Sequence, residues 1–418
     1  MFQTLVNAWK VDDIRRRILY TLGMLVIFRL GSHIPVPGID PKQIANILGQ
    51  GQLFGFFDII SGGAFRNFTI FAMSIVPYIN ASIIMQLLTI AIPSLEQLAK
   101  EGEEGRKKIA QYTRYLTVVL ALIQAIGMTI GLRSAVINPT FFRLTVIVIT
   151  LTAGTTFLMW LGERITENGL GNGSSLIIFA GIISRIPNMI YLTHEYIKAG
   201  TSNIFGAIAF VVAELIMIVL IILATEGQRR IPVQYAKRVV GRRVYGGQST
   251  HIPIRINMAG VIPIIFAISL LQFPQQLATF FPHSSFYNFV QKWLSTNGLI
   301  YNLLDIFLII GFTYFYTAVI FNPQDISDNL KKYGGFIPGI RPGKPTTEYL
   351  TKVLNRIVFV GALFLAFIAT MPVVLMNVTG LQLYFGGTAL LIAVGVALDT
   401  MKQIEGHLIM RNYQGFLK

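Results

Sequence analysis

The sequence predicts an all-α polytopic membrane protein with ten transmembrane helices in two inverted five-helix halves. Of its 418 residues, 53% are hydrophobic and only 13% charged, against about 25% charged in a typical soluble domain. Apolar runs near the ~20 residues that a membrane helix needs fall at 18–36, 68–92, 109–131, 144–161, 174–191, 204–224, 258–281, 303–321, 353–374 and 383–398. The basic residues between these runs follow the bias of cytoplasmic loops toward Lys and Arg.

With the N-terminus in the cytoplasm, 26 of the 34 Lys and Arg residues lie in or beside cytoplasmic segments. The fifth run is interrupted by Arg185 and Pro187. Without it, the two most basic connections would move outside, against the charge rule, so it spans and both termini are cytoplasmic. Five spans lie in 1–200 and five in 201–418. Two halves with an odd number of spans, joined in series, point in opposite directions. Structural repeats of that kind are related by an axis in the membrane plane, and their interface encloses a central passage. The N-terminus does not read as a cleaved signal peptide: Asp12 and Asp13 sit in its charged region, and a full-length apolar run follows without a small-residue cleavage site. There is no cysteine, hence no disulfide, thiolate metal site or cysteine nucleophile. The net charge of +15 suits anionic lipid, RNA or acidic protein partners.

The stretch 52–88 reads as two pieces. A short apolar segment is broken by Ser61-Gly62-Gly63, and a longer apolar run follows Arg66-Asn67. The first piece is too short to cross a bilayer. It is either a re-entrant element enclosed by protein or an amphipathic piece on the outer surface, and the residues alone leave both open. Two cytoplasmic segments project. In 226–257, Val239-Val240 and Val244-Tyr245 flank Gly-Arg-Arg, while Ile252, Ile254 and Ile256 alternate at strand period, giving an extended hairpin with Pro253 on an edge strand. In 322–352, the run KKYGGFIPGIRPGKPT enforces a tight loop.

No catalytic or metal site is expected. There is no H-E-x-x-H and no nucleophile elbow, and the five histidines lack ligand spacing. The phrase PGIRPGKPT fails as a phosphate loop, since Pro338 stands at the first required glycine and Pro345 at the Ser/Thr position. No cofactor follows from the residues. Glu214 in the sixth span and Asp305 near the start of the eighth motivate an alternative, an ion-coupled secondary transporter with inverted repeats. Glu214 has no charged partner at helical spacing, Asp305 is expected to be solvated near the interface, and structural roles are the reading preferred for both.

The chain resembles the SecY family, the central subunits of bacterial protein-conducting channels, over essentially its whole length. The resemblance rests on RLGSHIPVPGID, SGGAF, PYINASIIMQLL, EGEEGRKKIAQYTRY, GERITENGLGNGSSLIIFAGI, EGQRRIPVQYAKR, GRRVYGGQSTHIPIRINMAGVIP, FNPQDISDNLKKYGGFIPGIRPG and YFGGTALLI, in order along the chain. It implies a channel that carries unfolded secretory polypeptides across the bacterial plasma membrane and releases apolar segments sideways into lipid. It favours the re-entrant reading: 53–65 would be the plug, with Leu53, Phe57, Ile59, Ile60 and Phe65 filling space. Ile75 with Ile79 and Ile178 with Ile182 are each four apart, hence on one helix face. By resemblance these four, with Ile265 and Ile392, form a pore ring that closes by dewetting. Without the family, such isoleucines are ordinary lipid or packing contacts.

By resemblance, Asn80, Gln124 and Asn257 border a lateral gate; otherwise they read as scattered interhelical hydrogen bonds. The basic residues Arg229, Arg230, Lys237, Arg238, Arg242, Arg243, Arg341 and Lys344 read either as topological retention with headgroup contact or, by resemblance, as the dock for the SecA motor ATPase or the ribosome. Implied partners are the SecE and SecG subunits, signal sequences, secretory preproteins and anionic membrane lipids.

Overall fold

The computed structural model of the chain describes residues 2–40, 43–44, 61–200, 203–235, 238–240, 243–245, 249–279, 281, 284–294, 298–379, 381 and 387–415. A helix stands at each of the ten expected places. The first half carries α1 (Phe2–Trp9), α2 (Asp12–Gly31), α3 (Val76–Ala91), α4 (Pro93–Lys100), α5 (Glu103–Gly131), α6 (Phe141–Asn168), α7 (Gly173–Ser184) and α8 (Ile186–Lys198). The second carries α9 (Ile204–Glu226), α10 (Ile262–Thr279), α11 (Ser285–Trp293), α12 (Leu299–Ile320), α13 (Pro323–Lys332), α14 (Lys344–Thr379) and α15 (Gly387–Gly415). Among the described residues, six helical segments are individually long and apolar enough to cross a membrane, or seven if α3 and α4, bent by 100° at Ile92, count as one. The other expected spans are α2, which opens with charged residues, the shorter α10, and α15, which continues into a polar end. The fifth span breaks at Arg185, which ends α7 and starts α8 one residue before Pro187.

The second span differs from expectation. Residues 61–75 form consecutive turns, and helix begins only at Val76, with Pro77 in its first turn. Phe68 (φ 42°) and Ser74 (φ 52°) occupy left-handed conformations that interrupt any helix. An apolar run reports where backbone can be buried, and does not require that backbone to be helical. Most of this segment is buried, and several of its backbone groups are paired within the protein. Val36 N–H donates to the Phe68 carbonyl (2.9 Å), Ile70 N–H to Ile34 (3.0 Å) and Thr69 N–H to Ala64 (2.9 Å). Enclosed irregular backbone of this kind is compatible with membrane depth.

Counted by span, the two halves pack alike. In the first half α2 meets α6 and α7, α3 meets α5, and α6 meets α5 and α7. In the second, α9 meets α14 and α15, α10 meets α12, and α14 meets α12 and α15. First-with-fourth, first-with-fifth, second-with-third, third-with-fourth and fourth-with-fifth contacts therefore recur in both. The halves touch where α1 and α7 pack on α15 and where α10 packs on α3 and α5.

At one end stands a sheet of β1 (Gln228–Tyr235), β4 (Ser249–Arg255) and β5 (Gly335–Phe336), in the order β4-β1-β5, with β2 (Arg238–Val240) and β3 (Arg243–Tyr245) paired separately. The expected hairpin is present, and Pro253 lies on an edge strand. Its phase explains both prolines. Ile256 N–H donates to the Gly227 carbonyl (2.9 Å). With Arg230 opposite Pro253 and Pro232 opposite His251, alternation turns both proline nitrogens away from the β1–β4 ladder, which loses no bond. β5 pairs β1 only at Gln234 and Tyr235, past Pro232. The sequence did not suggest this strand, which fuses the two projecting segments over a core including Ile231, Val233, Ile254, Ile337 and Leu350.

Close approach tests this packing. A Cβ on Gly154 of α6 would overlap the Ile70 carbonyl of the turn segment, whereas one on Gly23 of α2 meets nothing. Gly154→Ala is expected to cost about 1–3 kcal/mol through overpacking and to lower the melting temperature of the purified chain. Gly23→Ala should leave it unchanged or raise it; equal melting for both would refute the close approach.

Candidate pore and its basic platform

Where the halves meet, all six isoleucines singled out in the sequence belong to one apolar cluster. Ile75, Ile178, Ile182 and Ile392 are buried in it, and the partly buried Ile79 and Ile265 pack against it. Two pairs of helices contribute them: α3 with its cap residue Ile75 and α7 from the first half, α10 and α15 from the second. Ile79 N–H donates to the Ile75 carbonyl (3.1 Å), so this pair stacks one turn apart although Ile75 precedes the helix. Around them lie Phe28 of α2 and Leu158, Leu161 and Ile165 of α6. Such a contact offers no hydrogen bond to water and no charge to a passing chain. Helices in lipid gain little hydrophobic drive from meeting one another, so packing is what holds this contact.

Phe65 is buried in a different cluster, with Val36, Phe68, Ala121 and Leu151. Leu53, Phe57, Ile59 and Ile60 lie outside the described residues. Behind Phe65, at the end of the bundle opposite the sheet, Arg29 donates to the Gly62 carbonyl (2.8 Å) and Ser184 Oγ (3.2 Å). Gly62 needs its φ of 66°, and a Cβ there would press on Ser184 and Gly181. This clasp ties the turn segment to α2 and α7. It adjoins a polar pocket of about 470 Å³ lined by Arg29, His33, Arg66, Arg185, Asn188 and Tyr191. The signal for it was available in the sequence: arginines on the side that the charge rule leaves poor in them.

The three polar residues sit on packed elements but no hydrogen bond joins them among the described residues. Asn80 follows Ile79 on α3, Gln124 is half-buried on α5, and Asn257 is buried before α10 begins. The Oδ1 atoms of Asn80 and Asn257 are buried without a partner among the described residues. The Ile256 carbonyl beside Asn257 packs where Gly361 of α14 lacks a side chain.

Asp305 departs from expectation. It is only 7% exposed, not solvated, because α12 starts at Leu299 and places it on the inward face with Tyr301 and Ile309. Glu214 is also buried, on the face of α9 that carries Met217 and Ile221. Both Glu214 oxygens and Asp305 Oδ1 have no hydrogen-bond partner among the described residues. Neither residue belongs to the six-isoleucine cluster.

On the sheet, Arg229 and Arg230 are exposed on β1. Arg341, in the loop after β5, and Lys344, the first residue of α14, are exposed; Ser327 Oγ donates to the Gly343 carbonyl (2.9 Å) and Thr346 Oγ1 to that of Arg341 (2.8 Å). Arg238 and Arg243 lie on β2 and β3; Lys237 and Arg242 fall outside the described residues. The β1–β5 pairing thus brings basic residues distant in sequence onto one platform.

Comparison with known proteins supports this architecture. The SecY family model matches residues 69–401. The chain is 50% identical to the protein translocase subunit SecY of Halalkalibacterium halodurans, over the full length of both, and 45% identical to that of Thermotoga maritima, over all of this chain and 98% of the other. Its fold is similar to a solved protein conducting channel (TM-score 0.65, 20% identity, covering 93% of this chain and 91% of the other). It is also similar to Sec61 in a canine ribosome-channel complex (TM-score 0.63, 19% identity, covering 93% and 91%). A family match across most of the chain and half-identical full-length relatives lead to one conclusion: this chain belongs to the SecY family.

Proposed function

We propose that the chain is a protein-conducting channel that passes unfolded secretory polypeptides across the bacterial plasma membrane and releases apolar segments sideways into lipid. The carrying observation is the single cluster in which both halves supply the six isoleucines. A polypeptide crosses between α3 and α7 on one side and α10 and α15 on the other, and the branched side chains reclose behind it. Both termini and the sheet face the cytoplasm. The stretch 53–65 acts as the plug. The contact of α10 with α3 and α5 is the lateral gate that signal sequences open. SecE and SecG complete the channel, and the basic platform docks SecA or the ribosome, with anionic lipid around it. Ribosomal contact would be largely to RNA phosphate and fall with added salt.

The absence of cysteine makes a direct test clean. A single cysteine at Ile79 or Ile182 is expected to form a disulfide with a cysteine in a stalled preprotein, while one at Phe205, 84% exposed on α9, should not. Equal labelling at all three positions would remove the pore assignment. Arg341→Glu is expected to abolish motor-driven export into inverted vesicles while the channel still inserts; normal export would remove the docking role.

For the gate, the sign follows from burial. Asn257 Oδ1 is buried without a partner among the described residues, and replacing an unsatisfied buried group by an apolar one relieves a penalty of about 1–3 kcal/mol. Asn257→Leu is therefore expected to favour the arrangement in which this residue is buried, and to reduce export of a reporter with a weakened signal sequence more than one with a normal signal. An unchanged ratio would exclude Asn257 from gating.

A further inference from the structure

The short helix α11 follows α10 at the end of the bundle opposite the sheet and leads into α12. Its nine residues have three faces. Tyr287, Val290 and Leu294 are turned inward, with Val290 buried. Ser285, Asn288, Gln291 and Lys292 form a polar sector. Between these sectors Phe286, Phe289 and Trp293, spaced for one stripe, are exposed by 43%, 57% and 42%. Nine residues extend about 14 Å at 1.5 Å per residue, far short of a bilayer.

We propose that α11 lies in the headgroup–acyl boundary of the lipid leaflet at that end, with its aromatic stripe in the boundary, and anchors the far end of α10 at the membrane surface. Two features identify lipid as the occupant of this face. Both flanking spans also expose apolar surface, with Phe273 of α10 and Leu299 and Phe307 of α12 strongly exposed. The face itself has the composition of an interfacial segment: aromatic rings that prefer the boundary, beside a cation that reaches headgroup phosphate. Lys292 Nζ stands 5.7 Å from the Trp293 ring.

The helix ends fit the same placement. At the start, Ser284 Oγ accepts from Tyr287 N–H (3.0 Å). Past the end, Gln275 Nε2 of α10 donates to the Leu294 carbonyl (2.6 Å), and Leu294 N–H donates to Val290 (2.8 Å). One backbone group at each end that would lack a partner in a water-poor boundary is thus satisfied, and the Gln275 bond fastens α11 to the helix that carries Ile265.

The test uses the full chain in phosphatidylcholine–phosphatidylglycerol vesicles, with Trp9→Phe and Trp160→Phe leaving Trp293 as the single tryptophan of the three in the sequence. Lipids brominated near the headgroup are expected to quench Trp293 more strongly than lipids brominated near the chain end, with iodide quenching weakly. Phe286→Ser with Phe289→Ser should shift Trp293 emission to the red and increase iodide quenching. Quenching by iodide and by neither lipid would overturn the proposal in favour of a water-exposed helix. Equal quenching by both lipids would overturn it in favour of deep burial. Protection from lipid and iodide alike, lost on dilution of the chain in the vesicles, would replace lipid with a second copy of the chain.

Discussion

Apolar contact between the two halves is the interaction on which the rest of the structure depends. In water, six isoleucines gathered with leucine and phenylalanine would be held by the cost of exposing them. Between membrane helices that drive is mostly absent, because lipid tails are as apolar as the side chains, and what holds them is packing. Each half is stitched internally by several helix pairs, whereas α1 and α7 with α15, and α10 with α3 and α5, join one half to the other. A joint of this kind excludes water while shut and costs little to open toward lipid. The same chemistry suits a passage that must accept every side-chain type and retain none.

Backbone pairing sets the second constraint. Chain that enters the bundle without crossing it carries N–H and C=O groups that cannot be left bare at that depth. The turn segment 61–75 meets this by pairing with 34–36 and with itself, and by lying where Gly154 and Gly62 withhold side chains. Arg29 adds a charged side chain clasped to the Gly62 carbonyl. The left-handed Phe68 and Ser74 persist because this surrounding structure over-determines them. The buried carboxyls of Glu214 and Asp305 stand apart from the seal.

On the platform, geometry converts a charge count into a surface. Two basic segments separated by two spans could have met different partners. The short β1–β5 pairing places Arg229, Arg230 and the loop of Arg341 over one hydrophobic base. Both prolines of the β1–β4 hairpin fall where the ladder needs no N–H, so the strands keep their pairing and still present a blunted edge.

The sequence by itself determined the membrane class, the places of the ten helices and the hairpin. These depend on local composition and periodicity, and hydrocarbon thickness imposes a length that can be read along the chain. The six isoleucines were legible only through motifs shared with a family, since nothing in an isolated Ile79 or Ile392 distinguishes a seal from a lipid contact. Tertiary structure alone decided that these side chains converge, that the second apolar run opens as turns, that Asp305 is enclosed and that β5 joins β1. The reason is physical: hydropathy records how much surface must leave water, whereas which face meets which partner is decided by close approach, hydrogen-bond phase and crossing of helices far apart in the chain.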